Sequence, residues 1–501
     1  MKPVKIGFVG TDGRTLLAAL ETGRALSEVY PGNYQGVVVR GTGAMPAFAG
    51  KMKWPVDFIS VPDNSVDAFA GALIKAFSER TLDLALVMPE ALIFEGLVDK
   101  VSAAGYGDRI IGLNKPGAFI EGDKLECKRL CREAGIPVAP AWMEADARDY
   151  PGVLATSLAY IHGYGGAVLK YPYSAGGKGA RIILNAWEIR DVYDGLINDY
   201  KEDYTRAFGK KGPWPLLIEA RMSGVEISFT IFVDKKGNHQ ILPTALDYPE
   251  RFAGPPGMDN PITGGMGSIS PHPFESAELM ELADRTIARP LIKIMKERGL
   301  LRPCVLYPGC FVSFADNFRP TAVRVCEINI RPGEPEFQPI VKRLRNLGAL
   351  LQAMPEGTLD KVAPEVRSDQ ISLCIALVTG PGGPKGQKGY PWSLTKGEAL
   401  AIDFDYFDKK KITVIPSAMD YAAAEDVFKS DGSRVAFLVA NATVKPGEKR
   451  GQAVESLRLR LLNAFDNGKI RVIPRENDQG NRLALRRDIG LHYQKAELLA
   501  T

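Results

Sequence analysis

Three short segments carry residues whose types and spacing could do chemistry on a polyphosphate. In Ala322-Val323-Arg324-Val325-Cys326-Glu327-Ile328-Asn329-Ile330-Arg331, strand alternation puts Glu327, Asn329 and Arg331 on one face and Cys326, Ile328 and Ile330 on the other. A carboxylate and an amide oxygen two residues apart can bind Mg2+ carried by a nucleotide, and Arg331 could hold a substrate anion beside it. An amphipathic strand with one wet face would read the same way. The second segment is a strand, Ala167–Pro172, carrying Lys170, followed by Ser174-Ala175-Gly176-Gly177-Lys178-Gly179-Ala180 and a second strand, Arg181–Leu184. Glycine N–H groups can close over phosphate oxygens while ammonium groups supply point charge. No G-K-[ST] follows four spacer residues, so this is not a Walker A loop, and an exposed hairpin with solvated lysines is an equal reading. In the third, Glu219 ends an apolar strand where it could meet an adenine or ribose edge, and Glu226 and Ser228 lie opposite a core face of Ile227, Phe229, Ile231 and Val233. A hairpin with solvated carboxylates is the alternative.

Two glycine clusters add weaker signals. Gly7, Gly10 and Gly13 sit at the first strand-to-helix turn, where bare backbone can approach an anion at a helix N-terminus or make a tight turn. Their spacing is not G-x-G-x-x-G. Thr263-Gly264-Gly265-Met266-Gly267 lies in a long loop, as turns or as an anion nest.

The elements that must position these residues follow from hydrophobic periodicity. Over the first ~115 residues short apolar runs alternate with amphipathic helical patterns, the rhythm of a parallel sheet with crossover helices. Strands are expected at Val4–Val9, Gly36–Val39 and Leu82–Val87, with helices at Thr15–Val29 and Ser65–Arg80. A helix from Asp123 to Ala134 has an Asp N-cap and stops at Gly135 with Pro137 beyond; Cys127, Leu130, Cys131 and Ala134 form its buried stripe rather than a metal site. Strands should dominate from Ala167 to about Thr244, followed by a Gly/Pro-rich loop over Tyr248–Pro273, a helix between Ser276 and Arg298 interrupted by Pro290, and the strand Ala322–Ile330.

Composition bounds the function. A chain of 501 residues is long enough for about three domains. With 63 Lys+Arg against 59 Asp+Glu the net charge is +4, which argues against a nucleic-acid partner. Six scattered cysteines make no disulfide framework, and no apolar run reaches the ~20 residues that span a bilayer. The expectation is a reduced, cytoplasmic protein with no membrane partner. Gly (51) and Pro (35) exceed ordinary usage and must be placed somewhere.

Taken in order, these segments resemble the phosphoribosylamine–glycine ligases (glycinamide ribonucleotide synthetases) of purine synthesis, members of the ATP-grasp superfamily. Pro89-Glu90 with Gly96-Leu97-Val98-Asp99 resembles P-E-x-x-L-x-x-G-x-x-D; Glu121-Gly122-Asp123-Lys124 and Gly135-Ile136-Pro137 resemble E-G-S-K and G-I-P-T. Lys170 with Gly176-Gly177-Lys178-Gly179 resembles the K-A-D-G-L-A-A-G-K-G lid, and Glu219 with Gly224–Ser228 resembles E-E-x-x-x-G-E-E-x-S. Thr263–Gly267 reproduces T-G-G-M-G, Leu306-Tyr307-Pro308-Gly309 resembles L-Y-A-G, Glu327–Gln338 resembles E-x-N-x-R-x-G-D-P-E-T-Q, and Arg487-Asp488-Ile489-Gly490 resembles the closing R-x-D-I-G.

The resemblance implies an α/β fold with three parts: an N-terminal doubly wound parallel-sheet domain (1–115), a central ATP-grasp domain (116–350) with a mobile lid at about 140–220, and a C-terminal mixed α/β domain (351–501). It implies a monomeric ligase that uses ATP with Mg2+ or Mn2+ to join glycine to 5-phosphoribosylamine through glycyl phosphate. Lys124 and Lys170 would contact ATP phosphates, Gly176, Gly177, Lys178 and Gly179 would close over them, and Glu219 and Glu226 would face the nucleoside. Glu327 and Asn329 would ligate the metal, with Arg331 and Lys178 at the reacting groups. Gly10, Gly13, Arg14, Glu90, Asp247, Arg251, Thr263, Gly264, Gly265, Arg331 and Glu336 would bind the other substrates.

Departures concentrate on the acceptor side. Q-D-H-K-R becomes Leu246-Asp247-Tyr248-Pro249-Glu250-Arg251, G-P-N becomes Asn260-Pro261-Ile262, and H-A-G-T becomes Pro416-Ser417-Ala418-Met419. Met88 replaces a glycine and Phe337 a threonine. Two further readings therefore stay open: another ATP-grasp carboxylate–amine ligase with a different acceptor, and a nucleotide-binding paralogue without catalysis.

Overall fold

The computed structural model of the chain describes residues 2–29, 33–41, 43–174, 179–257, 259–380, 389–392, 395–473 and 482–500. Five parallel strands form the N-terminal sheet in the order Asp57–Ile59, Tyr34–Arg40, Val4–Gly10, Leu84–Val87 and Ile110–Ile111. Both faces are covered, so these strands are nearly continuous apolar runs. Ile6, Phe8 and Val38 turn toward one core, and Val9, Val37 and Val39 toward another. The first core continues into the C-terminal strands through Val414 and Phe437; the second continues into the central sheet through Phe229 and Leu306. The N-terminal sheet thus stands between the two other parts of the chain.

The central sheet pairs the long strands Cys304–Phe314 and Pro320–Asn329 antiparallel, with Val225–Ser228, Ile231–Val233 and His239–Ile241 beyond them. A separate four-stranded antiparallel sheet, Trp142–Asp146, Pro215–Ala220, Ala167–Lys170 and Ala180–Ile183, has its own small core around Leu169, Leu196, Tyr204 and Trp214. The strands that come first and last in the chain, Trp142–Asp146 and Pro215–Ala220, are direct neighbours, Trp142 lying opposite Glu219. Strands recur across Ala167–Thr244 as expected, but the helix Ile189–Phe208, which the sequence reading does not include, intervenes. Its buried Ile189, Tyr193, Leu196 and Tyr204 follow the helical period, not the period of two.

Another difference concerns the boundary expected at 350. Leu246–Asp247 and Gly267–Ser270 join the same six-stranded sheet as Gln370–Gly380, Arg434–Thr443, Thr413–Pro416 and Arg482–Ala484, with Gly267 opposite Ile375. That sheet crosses residue 350. The long loop after Tyr248 is therefore interrupted by a strand. The helix expected between Ser276 and Arg298 is interrupted at Pro290 as its sequence implies: Ala277–Ala283 gives way to a π turn at Asp284–Ala288 immediately ahead of the proline, and the α-helix resumes over Arg289–Glu297.

Candidate active site

The site starts at the helix Lys124–Glu133. Asp123 caps it, its carboxylate accepting the N–H groups of Leu125 (3.0 Å) and Glu126 (3.1 Å), and this fixes Lys124 in the first turn with Lys128 one turn later. Both lysines line a narrow cavity with Cys127, Cys326, Glu327 and Asn329. Lys124 Nζ donates to the carbonyl of Ser174. Opposite, Lys170 ends its strand with Nζ 2.6 Å from Glu219 Oε2 and 3.4 Å from Cys326 Sγ.

Glu219 corrects one expectation. Its carboxylate is turned inward, leaving only its backbone for a nucleoside edge: the residue is 1% exposed and the carboxylate lies between Lys170 and Lys128, the latter at 2.6 Å. A carboxylate in the middle of a sheet must be paired, and two ammonium groups overcome the cost of burial and hold it down at about 2. Lys170 is driven up in turn: burial lowers it, and Cys326 and Glu219 more than reverse that.

Cys326 is the second correction. The ladder slips between Gly309 and Cys310, so that Gly309 pairs with Glu327 and Cys310 with Val325, leaving Cys326 as the extra residue of a β-bulge. Val323, Val325, Ile328 and Ile330 remain in the core, while Cys326 turns to the cavity beside Glu327. Alternation alone had put Cys326 with Ile328; one extra residue cancels that.

Glu327 stays ionised. Burial pushes its pKa up, but Lys124, Lys170 and Arg331 with a hydrogen bond from Asn329 bring it below the ordinary range. Asn329 is buried and donates Nδ2 to Tyr307 O at 3.2 Å. Beyond it more carboxylates converge. Enclosure by protein, then Glu327, Glu250 and Glu336, push Glu226 up to about 7 although solvent reaches it. Burial, then Glu336 and Glu226, push Asp247 well above the usual range. Glu336 accepts from Tyr307 OH at 2.5 Å, and among the described residues its Oε2 and Asp247 Oδ1 have no hydrogen-bond partner.

These oxygens suit a hard cation. Among the described residues, no three His, Cys, Asp or Glu side chains close on one point as a complete protein cage. Glu327 and Asn329 with polyphosphate oxygens and water would make a Mg2+ site of the kind that nucleotides bring with them.

The remaining predicted residues divide. Arg331 and Glu90 meet, Nε to Oε2 at 2.9 Å, with Glu121 Oε1 at 3.5 Å. Arg14 bonds Pro332 O and lies 2.7 Å from Asp12. Packing already requires glycine at Gly10 and Gly13: a Cβ on Gly10 would lie 2.8 Å from Pro89 Cδ, and one on Gly13 would lie 3.0 Å from the Phe437 ring. The adjoining Thr15 N–H already points to Asp12 Oδ1 at 3.3 Å. Arg251 is also not aimed at the cleft; it is buried, donates to Tyr390 O at 2.8 Å and lies over Phe252, and burial lowers it to about 10. Thr263 bonds Pro249 O at 2.8 Å, Gly264 N–H reaches Tyr390 OH at 3.3 Å, and Gly265 (φ +95°) abuts Pro335. Arg434 donates to Gly264 O and pairs with Glu334 at 2.7 Å, so this loop is seated against the C-terminal strands. Gly179 is buried against Ser174, while Gly176, Gly177 and Lys178 lie outside the described residues.

Sequence reasoning missed Lys128, Glu121 and Arg434. Lys128 had a signal, its i+4 spacing from Lys124 on one helix face. Glu121 stood in a quoted motif; Arg434 had none.

The parallel-sheet domain, the separate lysine-bearing sheet and the lysine–carboxylate cleft define an ATP-grasp protein. The model of the phosphoribosylglycinamide synthetase ATP-grasp (A) domain matches residues 122–337. A phosphoribosylamine–glycine ligase of Pseudomonas aeruginosa is 31% identical over 343 residues, 67% of this chain and 71% of that protein, and one of Rhodopirellula baltica is 29% identical over 330 residues, 66% and 69%. The crystal structure of the Thermotoga maritima phosphoribosylamine–glycine ligase superposes with a TM-score of 0.67 at 20% identity, covering 97% of this chain and all (100%) of that one. A biotin carboxylase domain from Hydrogenobacter thermophilus follows the same fold at a TM-score of 0.57 and 15% identity, over 99% of each chain. The chain belongs to the phosphoribosylamine–glycine ligase family.

Proposed function

We propose that this protein joins glycine to 5-phosphoribosylamine at the expense of ATP, forming glycinamide ribonucleotide, ADP and phosphate. The observation that carries the reading is the convergence of Lys124, Lys170, Glu327 and Asn329 on one cleft, in a chain of this family. Phosphoryl transfer needs positioning and charge neutralisation more than a protein nucleophile. Lys170 and Lys124 hold the polyphosphate, and Glu327 and Asn329 hold Mg2+ or Mn2+, which when bound would offset phosphate charge. The glycine carboxylate then takes the γ-phosphoryl, and the amine of phosphoribosylamine displaces phosphate from the acyl carbon. The Arg331–Glu90 pair faces this step at the junction with the N-terminal domain, where the Arg331 guanidinium can exchange Glu90 for an anionic substrate group. Asp247 and Glu336 offer unpaired oxygens to a substrate amine.

One observation favours a second reading, a ligase with another acceptor. Arg14, Arg251 and Arg434 are each engaged inside the protein, to Asp12, Tyr390 and Glu334. ADP release measured with glycine alone, phosphoribosylamine alone and both decides between them: turnover only with both supports the first. Turnover confined to another acid or amine would establish the second. We also propose a cytoplasmic monomer, checked by sedimentation; among the described residues no helix is long and apolar enough to cross a membrane.

A further inference from the structure

Lys128 is a charged group that the reaction above does not use, yet it stands at the centre of the site. Its side chain is 4% exposed. Around its Nζ lie three acceptors from two different elements: Glu219 Oε1 at 2.6 Å, Val325 O at 3.2 Å and Cys326 O at 3.1 Å. A lysine ammonium has three protons and no more. Two go to the Val325 and Cys326 carbonyls, and the Glu219 carboxylate lies in ion-pair contact on the other side, so the buried Lys128 ammonium is committed within the protein rather than to a nucleotide. Its neighbours differ: among the described residues, Lys124 Nζ has the carbonyl of Ser174, and Lys170 Nζ has Glu219 and Cys326. Each keeps at least one N–H for a ligand.

The three acceptors are also the supports of the groups that touch substrate. Glu219 holds Lys170 through its other oxygen. The carbonyls of Val325 and Cys326 flank the bulge that brings Glu327 to the cavity. We infer that Lys128 is a positioning residue of the nucleotide site, fixing Lys170 through Glu219 and the Glu327 metal ligand through the Val325–Cys326 bulge, without contacting ATP. Lysine suits this junction because its three donors diverge from one atom toward a strand on either side. The planar fork of arginine cannot reproduce that divergence.

The inference rests on the nucleotide-site reading, and its test uses only ATP, adenosine and Mg2+, so the acceptor does not enter. In K128R and K128M, ATP affinity should fall and the Mg2+ concentration for half-maximal ATP binding should rise, each by about 10–100-fold, the range seen when the support of a metal ligand is lost. Adenosine binding should stay within twofold. A folded K128R with unchanged Mg2+ dependence would overturn the proposal, as would equal losses for ATP and adenosine, which is what general loosening produces. A measurement on the unsubstituted protein needs no variant: with lysine ζ-nitrogen labelling, a non-hydrolysable ATP analogue should shift the Lys170 ammonium signal and leave that of Lys128 in place. A Lys128 shift as large as that of Lys170 would make it a substrate contact and refute the positioning role. Failure of the unsubstituted protein to bind ATP would instead bring down the nucleotide-site reading itself, and this inference with it.

Discussion

Glu327 has its charge kept by Lys124, Lys170 and Arg331 and its amide neighbour Asn329 beside it. Glu327→Gln keeps the shape and removes the charge, and turnover should fall by roughly 10²–10³-fold, the scale of losing one electrostatic group aimed at the transferring phosphoryl. The check is ADP release at saturating ATP across a Mg2+ series, with the melting temperature measured in parallel; unchanged turnover would remove Glu327 from the metal site. At this scale much was readable in advance. Lys124, Lys170, Glu327 and Asn329 announce themselves by type and order along the chain. What could not be read is where a side chain goes when its partner is remote. Glu219 looked free to meet a nucleoside because nothing in its own segment shows that Lys128 comes to it from another element, and Cys326 looked like core because a bulge leaves no trace in alternation.

Between elements, the Lys128–Glu219–Lys170 contact joins a helix to two strands of the lysine-bearing sheet. Removing the carboxylate leaves two ammonium groups buried without their anion, so Glu219→Gln should cost about 3–5 kcal/mol. The pH dependence has a definite sign. Glu219 sits at about 2 in the folded protein against an ordinary 4.5, so its contribution is complete above 4.5 and is lost as pH falls from there toward 2. Urea unfolding should therefore show a wide gap between Glu219→Gln and the unsubstituted protein at pH 6 that narrows at pH 3; a gap independent of pH would contradict the pairing. The Asp123 cap is the companion case. Asp123→Ala should cost about 1 kcal/mol and weaken ATP binding more than adenosine binding, because Lys124 starts the turn that Asp123 fixes. That helix was legible end to end from its cap, its stripe and Gly135. The helix Ile189–Phe208 was not, since its polar and aromatic residues lie between two strands and its periodicity is diluted by charge.

At the scale of the whole molecule, the fold class was legible from the alternation of apolar runs, but the seams were not, because strand pairing joins residues far apart in sequence. The sheet that crosses residue 350 makes a firm prediction. A chain ending at 350 keeps Leu246–Asp247 and Gly267–Ser270 but loses the strand Gln370–Gly380 against which Gly267–Ser270 pairs. It should be aggregation-prone through that bare edge, and should unfold without a cooperative transition when followed by circular dichroism. A sharp transition would mean that the central part closes its own core. The lysine-bearing sheet is the opposite case. The strands by which the chain enters and leaves it, Trp142–Asp146 and Pro215–Ala220, are paired side by side, and its core is separate. In genetic terms it has the form of a cassette. Its two ends present adjoining splice points, so exchange among relatives can replace it whole without touching the strands around it, whereas the carboxyl-terminal part can be traded only together with the strands it borrows.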